Sequence, residues 1–217
     1  MSNQKPLTAY LIRHGETAWN AEGRCQGVTD IPLTEKGRRQ ARAVAKALER
    51  QPIGRILTSP LQRARDTAAL IAQSHALSLE CYDELKEWDQ GRLEGLTGPE
   101  LMQDYPGFFE RWLAAPAGTA PPGGEPLSAV QQRAWPILDR LRQLDPNELT
   151  GPVVVVSHTL TTAVMLCAAL GLDLAQVHRL KIDLASISSL IFTEFGPFAM
   201  WRLAALNDRH HLSDDLG

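Results

Sequence analysis

Leu11-Ile12-Arg13-His14-Gly15-Glu16-Thr17 is the stretch on which the fold turns. The apolar run Ala9-Tyr10-Leu11-Ile12 reads as a short buried strand that stops abruptly at Arg13-His14-Gly15. In an open α/β sheet, residues just past the carboxyl end of a strand point into the ligand crevice. A guanidinium, an imidazole and a glycine there supply an anion clamp, a nucleophile or base, and room for close backbone approach. A lone Arg-His pair is more simply a satisfied histidine beside a surface arginine. However, a second apolar run, Val153-Val154-Val155-Val156, ends the same way in Ser157-His158. Two strands that each deliver a histidine at their carboxyl ends are hard to explain by core packing.

On either side of these strands the chain alternates strand and helix. Thr17 to Ile31 is polar and glycine-containing, a loop over the crevice that carries Asn20, Arg24, Gln26 and Gly27. Thr34 is a good N-cap and Glu35 suits the positive end of the helix that follows, whose Ala41, Val44, Ala45 and Leu48 form one apolar stripe. Ile56-Leu57 makes a second strand. Ser59-Pro60 then predicts a helix capped by Ser59 with proline in the first position, which places Arg63 in a first turn that favours anions. Leu77 to Tyr82 alternates as a third strand, and the acidic run from Asp83 to Asp89 follows it. Residues 97–126 carry two short helical patterns and a Pro/Gly-rich end; they break the alternation and predict a small cap inserted above the crevice. Leu127 to Leu144 predicts a helix kinked or broken at Pro136. Leu160 to Leu170 predicts a buried helix, and Ser186–Phe195 with Phe198–Leu206 a hairpin joined at Gly196-Pro197. For the polar tail from Asn207 to Leu212, disorder is the ordinary expectation.

The 217 residues suit one domain with a sizeable core. A net charge of −3, with basic residues spread along helices, points away from nucleic acid. Cys25, Cys81 and Cys167 are odd in number and lack metal-ligand spacing, as in a reducing cytoplasm. The start, Met1 to Pro6, shows no apolar signal region, and the apolar stretch Leu160–Leu172 is too short to span a bilayer. The expectation is a cytoplasmic protein with no nucleic-acid or membrane partner, with a homodimer left open.

The stretch at 11–17 resembles the signature of the histidine phosphatase superfamily, which includes the cofactor-dependent phosphoglycerate mutases. Further landmarks of that family recur in order: Asn20, Arg24-x-Gln26-Gly27, Ser59-Pro60-Leu61-Gln62-Arg63, Glu87, Glu94-Gly95, Gly124-Glu125 and Ser157-His158. The resemblance implies a three-layer α/β/α sandwich with a mostly parallel central sheet, here a single domain over 1–217 with 97–126 as the cap insertion. It implies His14 as the nucleophile that forms a phosphohistidine, and Arg13, Arg63 and His158 around the phosphoryl oxygens. Neighbouring cations are expected to keep His14 neutral. Family register singles out Arg63 over Arg65. It also singles out Glu87 as the general acid and base, with Glu84 and Asp89 the next candidates. Asn20, Arg24, Gln26, Gly27 and Thr159 become candidates for substrate binding. The cationic side chains supply the charge stabilisation a metal would otherwise give, so no metal or other cofactor is expected.

Three functions are consistent with this pattern. A phosphomonoester phosphatase acting on a small phosphorylated substrate leads. A phosphoglycerate mutase shares the same phosphoryl-handling residues, but the mutases have a longer segment in place of 97–126. A non-catalytic phosphate-binding module would be expected to lose His14, His158 or Glu87, and all three are present. Asp183-x-Ala185-Ser186 and Leu206-Asn207-x-x-x-His211 resemble the metal-independent phosphoserine phosphatases of the superfamily, and α-ribazole phosphatases share much of the pattern. That resemblance makes His211 a candidate for the substrate carboxylate. Two departures stand out: Thr159 replaces the usual glycine after the second histidine, and Pro126 replaces a serine after Gly124-Glu125.

Overall fold

The computed structural model describes residues 6–143, 150–195 and 197–217. The amino-terminal residues Met1–Lys5, Leu144 at the expected helix end, and Gly196 at the hairpin turn lie outside the described residues. In chain order the elements are β1 (Leu7–Arg13), α1 (Ala18–Ala21), α2 (Glu35–Leu48), β2 (Arg55–Thr58), α3 (Gln62–His75), β3 (Leu79–Cys81), α4 (Gly98–Asp104), α5 (Phe108–Ala114), α6 (Leu127–Leu141), β4 (Val153–Ser157), α7 (Thr159–Leu170), β5 (Ile187–Phe195) and β6 (Phe198–Asp208). Among the described residues no helix is long and apolar enough to cross a membrane.

The six strands form one sheet in the order β3-β2-β4-β1-β5-β6. β1 pairs parallel with β4 in the register Leu11↔Val155, and β2 pairs parallel with both β4 and β3. β5 and β6 complete the sheet as an antiparallel hairpin beside β1. The valine run of β4 is continuous because the strand is covered on both faces. Val153 and Val155 pack with α6 and α7, and Val154 and Val156 pack with α2 and α3. This alternation makes the three layers α/β/α.

β1 and β4 lie side by side, and their onward connections lead to opposite sides of the pair. That is the place in an open sheet where a crevice opens at the carboxyl ends. The first turn of α2 forms as expected, with Thr34 Oγ1 accepting from Gly37 N at 3.0 Å. Its approach is close: a Cβ on Gly15 would run into the carbonyl of Gly37. Glycine at both points therefore lets α2 brace the loop that follows β1.

Four local expectations are corrected. α3 starts at Gln62 with Leu61, not Ser59, as its N-cap residue. The helical amide of Gln62 is met instead by Asp30 Oδ1 at 2.7 Å. Of the kink or break expected at Pro136, the break is absent, since α6 runs from Leu127 to Leu141. β6 extends to Asp208, beyond the expected Leu206. The tail is ordered: Leu216 is buried, its carbonyl accepts from Gln40 Nε2 at 2.7 Å, and Arg39 pairs with Asp215 at 2.9 Å.

Candidate active site

Three chain segments leave the sheet at the same edge and carry the central group: His14 after β1, Ser59 after β2 and His158 after β4. The backbone ties two of these ends together, since His14 N donates to Ser157 O at 3.1 Å. Arg63, in the first turn of α3, reaches across them and is fully buried. Its Nε lies 3.3 Å from His14 Nε2 and 3.2 Å from His158 Nδ1. Its terminal nitrogens donate to Thr29 O at 2.9 Å and Gly27 O at 2.6 Å. Gly27 thus serves through its carbonyl, and a side chain there would collide with Glu94 and Trp88.

These contacts fix both tautomers. His14 Nδ1 lies 2.7 Å from Gly15 O, an acceptor only, so the ring proton sits on Nδ1 and Nε2 carries a lone pair. His158 Nδ1 likewise accepts from Arg63, and its Nε2–H is directed at Ser59 Oγ, 2.9 Å away. Burial, then Arg63 and Arg13, hold His14 well below the ordinary histidine range. Burial and Arg63, with His14, Arg13 and Arg133 behind them, do the same to His158. The expectation of a neutral His14 holds, with burial the larger cause. Burial also lowers Arg13 and Arg63 to about 10, a shift opposed by the charge of Glu87, and both stay cationic at neutral pH.

Arg13 donates to Ile182 O at 2.8 Å, while its Nε has no partner among the described residues. Glu87 is buried at the start of α7. Its Oε1 accepts from Trp88 N at 2.9 Å and Thr161 N at 3.1 Å, and its Oε2, among the described residues, only from Leu160 N at 3.3 Å. Thr159 is the first residue of α7 in a right-handed conformation, so its Cβ is accommodated without strain.

The remaining candidates stand apart from this group. Asn20 Oδ1 closes the α1 capping box by accepting from Thr17 N at 3.1 Å. Gln26 Oε1 accepts from the Thr17 hydroxyl at 2.8 Å, and Gln26 Nε2 is buried without a partner among the described residues. Arg24 pairs with Glu22 at 2.6 Å and donates to Gly95 O at 2.7 Å, with no contact to the histidines among the described residues. His211 Nε2 lies 2.9 Å from Ala185 O, and Ala185 N donates to His14 O at 3.1 Å. The tail histidine is therefore linked to the backbone of His14 through one residue. Pro126 provides no side-chain cap for α6, while Glu125 beside it pairs with Arg133 at 2.7 Å.

Sequence reasoning missed two contributors. Ser59 was assigned to a helix cap but orients His158; its place at the end of β2, level with the other two strand ends, was the available signal. Arg133 was not singled out, because nothing near it in sequence marks the turn at Glu84–Glu87 that its guanidinium meets. Among the described residues no group of three or more His, Cys, Asp or Glu is placed to hold a metal ion. The three cysteines are free.

Comparison with known proteins agrees with this geometry. Residues 9–209 match the histidine phosphatase superfamily (branch 1). Phosphoserine phosphatase 1 of Hydrogenobacter thermophilus is 38% identical over 184 residues, covering 85% of this chain and 86% of that protein. A Cronobacter sakazakii protein named "Probable phosphoglycerate mutase GpmB" is 34% identical, covering 95% of each chain. The mycobacterial glucosyl-3-phosphoglycerate phosphatase solved with VO3 superposes with a TM-score of 0.85 at 32% identity, covering 94% of this chain and 100% of that one. With two strand-end histidines sharing one buried arginine and a family match over nearly its whole length, the chain belongs to the histidine phosphatase superfamily, branch 1.

Proposed function

We propose that the chain, a phosphatase of small phosphorylated metabolites, works in the cytoplasm through a covalent phosphohistidine on His14. The observation that carries this reading is the lone pair on His14 Nε2, held by the Nδ1 contact to Gly15 O and set against the Arg63 guanidinium. A buried imidazole kept neutral between two cations is a nucleophile beside an anion site. The cations attract the phosphoryl oxygens and also prevent the ring from taking up a proton. The unpartnered Arg13 Nε adds a donor that a phosphoryl oxygen satisfies.

In the first step His14 Nε2 attacks phosphorus, the P–O ester bond breaks, and the leaving oxygen takes a proton from Glu87. In the second, Glu87 as the carboxylate removes a proton from water, which displaces His14 and releases inorganic phosphate. Of the two carboxyl oxygens, Oε2 carries that proton, because two backbone amides already donate to Oε1, while among the described residues a single longer contact reaches Oε2. Arg13, Arg63 and His158 offset the charge on the equatorial oxygens. Residues 97–126 act as the cap over this crevice: α5 stacks Trp112 on Trp88, next to Glu87, with ring centroids 5.6 Å apart.

Phosphoserine is the substrate we favour, on the similarity to the Hydrogenobacter enzyme and on the placement of His211. With Nε2–H donating to Ala185 O, the ring meets a carboxylate only through a protonated Nδ1. Burial lowers the pKa of His211, so this recognition strengthens as pH falls. The direct test of the mechanism is labelling with a 32P-phosphomonoester, quenched in alkaline detergent because the P–N bond of a phosphohistidine is lost in acid. Label should appear on His14 in wild type and be absent from a folded His14→Ala variant, whose turnover is abolished. Normal turnover in that variant would overturn the mechanism.

A further inference from the structure

Arg133 of α6 lies outside the group of side chains that face the phosphoryl site, yet every hydrogen of its guanidinium is used. Nε donates to Glu125 Oε2 at 3.3 Å. One terminal nitrogen donates to Glu84 O at 2.6 Å and Lys86 O at 2.8 Å. The other donates to Glu87 O at 2.9 Å and Glu125 Oε1 at 2.7 Å. Arginine carries five N–H donors in a rigid fork. Here all five are matched, three of them by carbonyls of one short turn.

Glu125 grips the same turn from its other side. Its Oε1 accepts from Asp89 N at 3.1 Å, and its own N donates to Asp89 O at 3.1 Å. Regular structure in this part of the chain is limited to a 3-10 turn at Asp83–Leu85. The peptide that carries Glu87 is thus held at three points: its carbonyl by Arg133, the Lys86 carbonyl before it by Thr161 Oγ1 at 2.7 Å as well as by Arg133, and its carboxylate by the first amides of α7.

We propose that Arg133 is a positioning residue that sets the reach of the Glu87 carboxyl toward the leaving oxygen; this rests on the reading of Glu87 as the proton donor. Without the fork, three carbonyls of the turn lose a donor, and the Lys86–Trp88 backbone gains freedom to rotate. Arg133 is partly exposed, so water can replace those donors and the fold can survive the loss. Misplacing a reacting group by about 1 Å can cost about 10²-fold in rate. The cost falls on the step that needs the proton, whereas a merely structural arginine would weaken all substrates alike.

The test uses Arg133→Lys, which keeps a charge and lacks the fork. kcat/KM reports phosphoenzyme formation and is blind to a later shared step. It is measured on β-glycerophosphate, whose alkoxide needs a proton, and on p-nitrophenyl phosphate, whose phenolate does not. Wild type, Arg133→Lys, Glu87→Gln and the double variant are compared. Arg133→Lys should lose about tenfold or more on β-glycerophosphate and less than about threefold on p-nitrophenyl phosphate. In the Glu87→Gln background its added loss on β-glycerophosphate should shrink below about threefold, because the positioned group is gone.

Equal losses on the two substrates, or an undiminished loss in the Glu87→Gln background, overturn the proposal. If Glu87→Gln is selective and Arg133→Lys is not, the proposal fails alone. If Glu87→Gln shows no selectivity, the proton-donor reading fails and takes the proposal with it. Glu125→Gln, which loosens the same guanidinium, is the second variant should Arg133→Lys not fold; the same selective loss is expected, and equal losses refute it.

Discussion

Acidification should destabilise this protein through the two histidines that make its site. His14 and His158 are both buried against Arg63 and held well below the ordinary histidine range, by burial first and the arginine second. In the unfolded chain both return to about 6.5. The sign follows from proton counts: below that pH the unfolded state binds protons that the folded state refuses, so stability is lost as pH falls. Between about pH 7.5 and about pH 5.5, a histidine that stays neutral when folded costs about 1.4 kcal/mol, and the pair about 2.7 kcal/mol. Carboxylates titrate in the same range, so the measurement is a difference. Urea unfolding is followed at several pH values in wild type, His14→Gln and His158→Gln. Wild type should lose about 1.4 kcal/mol more than either variant across that interval. A difference that does not change with pH, or that changes with the opposite sign, refutes the claim that the folded site excludes protons from these rings.

Two further outcomes follow from the site. Activity should survive exhaustive chelation, because Arg13, Arg63 and His158 supply the charge stabilisation; loss with EDTA and recovery with magnesium alone would show the site to be misread. Wild type should prefer L-phosphoserine over phosphoethanolamine in kcat/KM, more so at lower pH because His211 must be protonated to meet the carboxylate. His211→Ala should remove that preference, and an unchanged preference would return His211 to a role in anchoring the tail on Ala185.

The parts of the structure that could be read from the chain are those whose signal is local. β4 is buried on both faces and so is apolar at every position; α2 is buried on one face and so carries a stripe with a threonine cap. Strand ends could be read because an apolar run that stops at Arg-His must stop at an edge. The misreadings came from distant partners. Ser59 followed by proline looks like a cap, but a histidine 99 positions later takes its hydroxyl, and Asp30 meets the helix amide. The tail looked disordered because no neighbour in sequence orders it. Its anchors are Asp183, which holds Asn207 at 2.9 Å, Ala185 beneath His211, and Gln40 at Leu216. Arg24 was assigned through family register alone, and Glu22, two residues away, engages its side chain.

The stack of Trp88 on Trp112, with His178 set edge-on to Trp112 at 4.4 Å, has a consequence for engineering. Exchanging residues 97–126 for the corresponding stretch of a relative is the natural route to a new substrate range. Trp112 is inside that stretch, and the ring it supports belongs to the residue after Glu87. A graft that omits an aromatic side chain at that place therefore alters the footing of Glu87, the proton donor proposed above, along with the pocket. Chimeras built here will lose rate on every substrate with a basic leaving group before their selectivity can be judged, unless Trp112 travels with the scaffold.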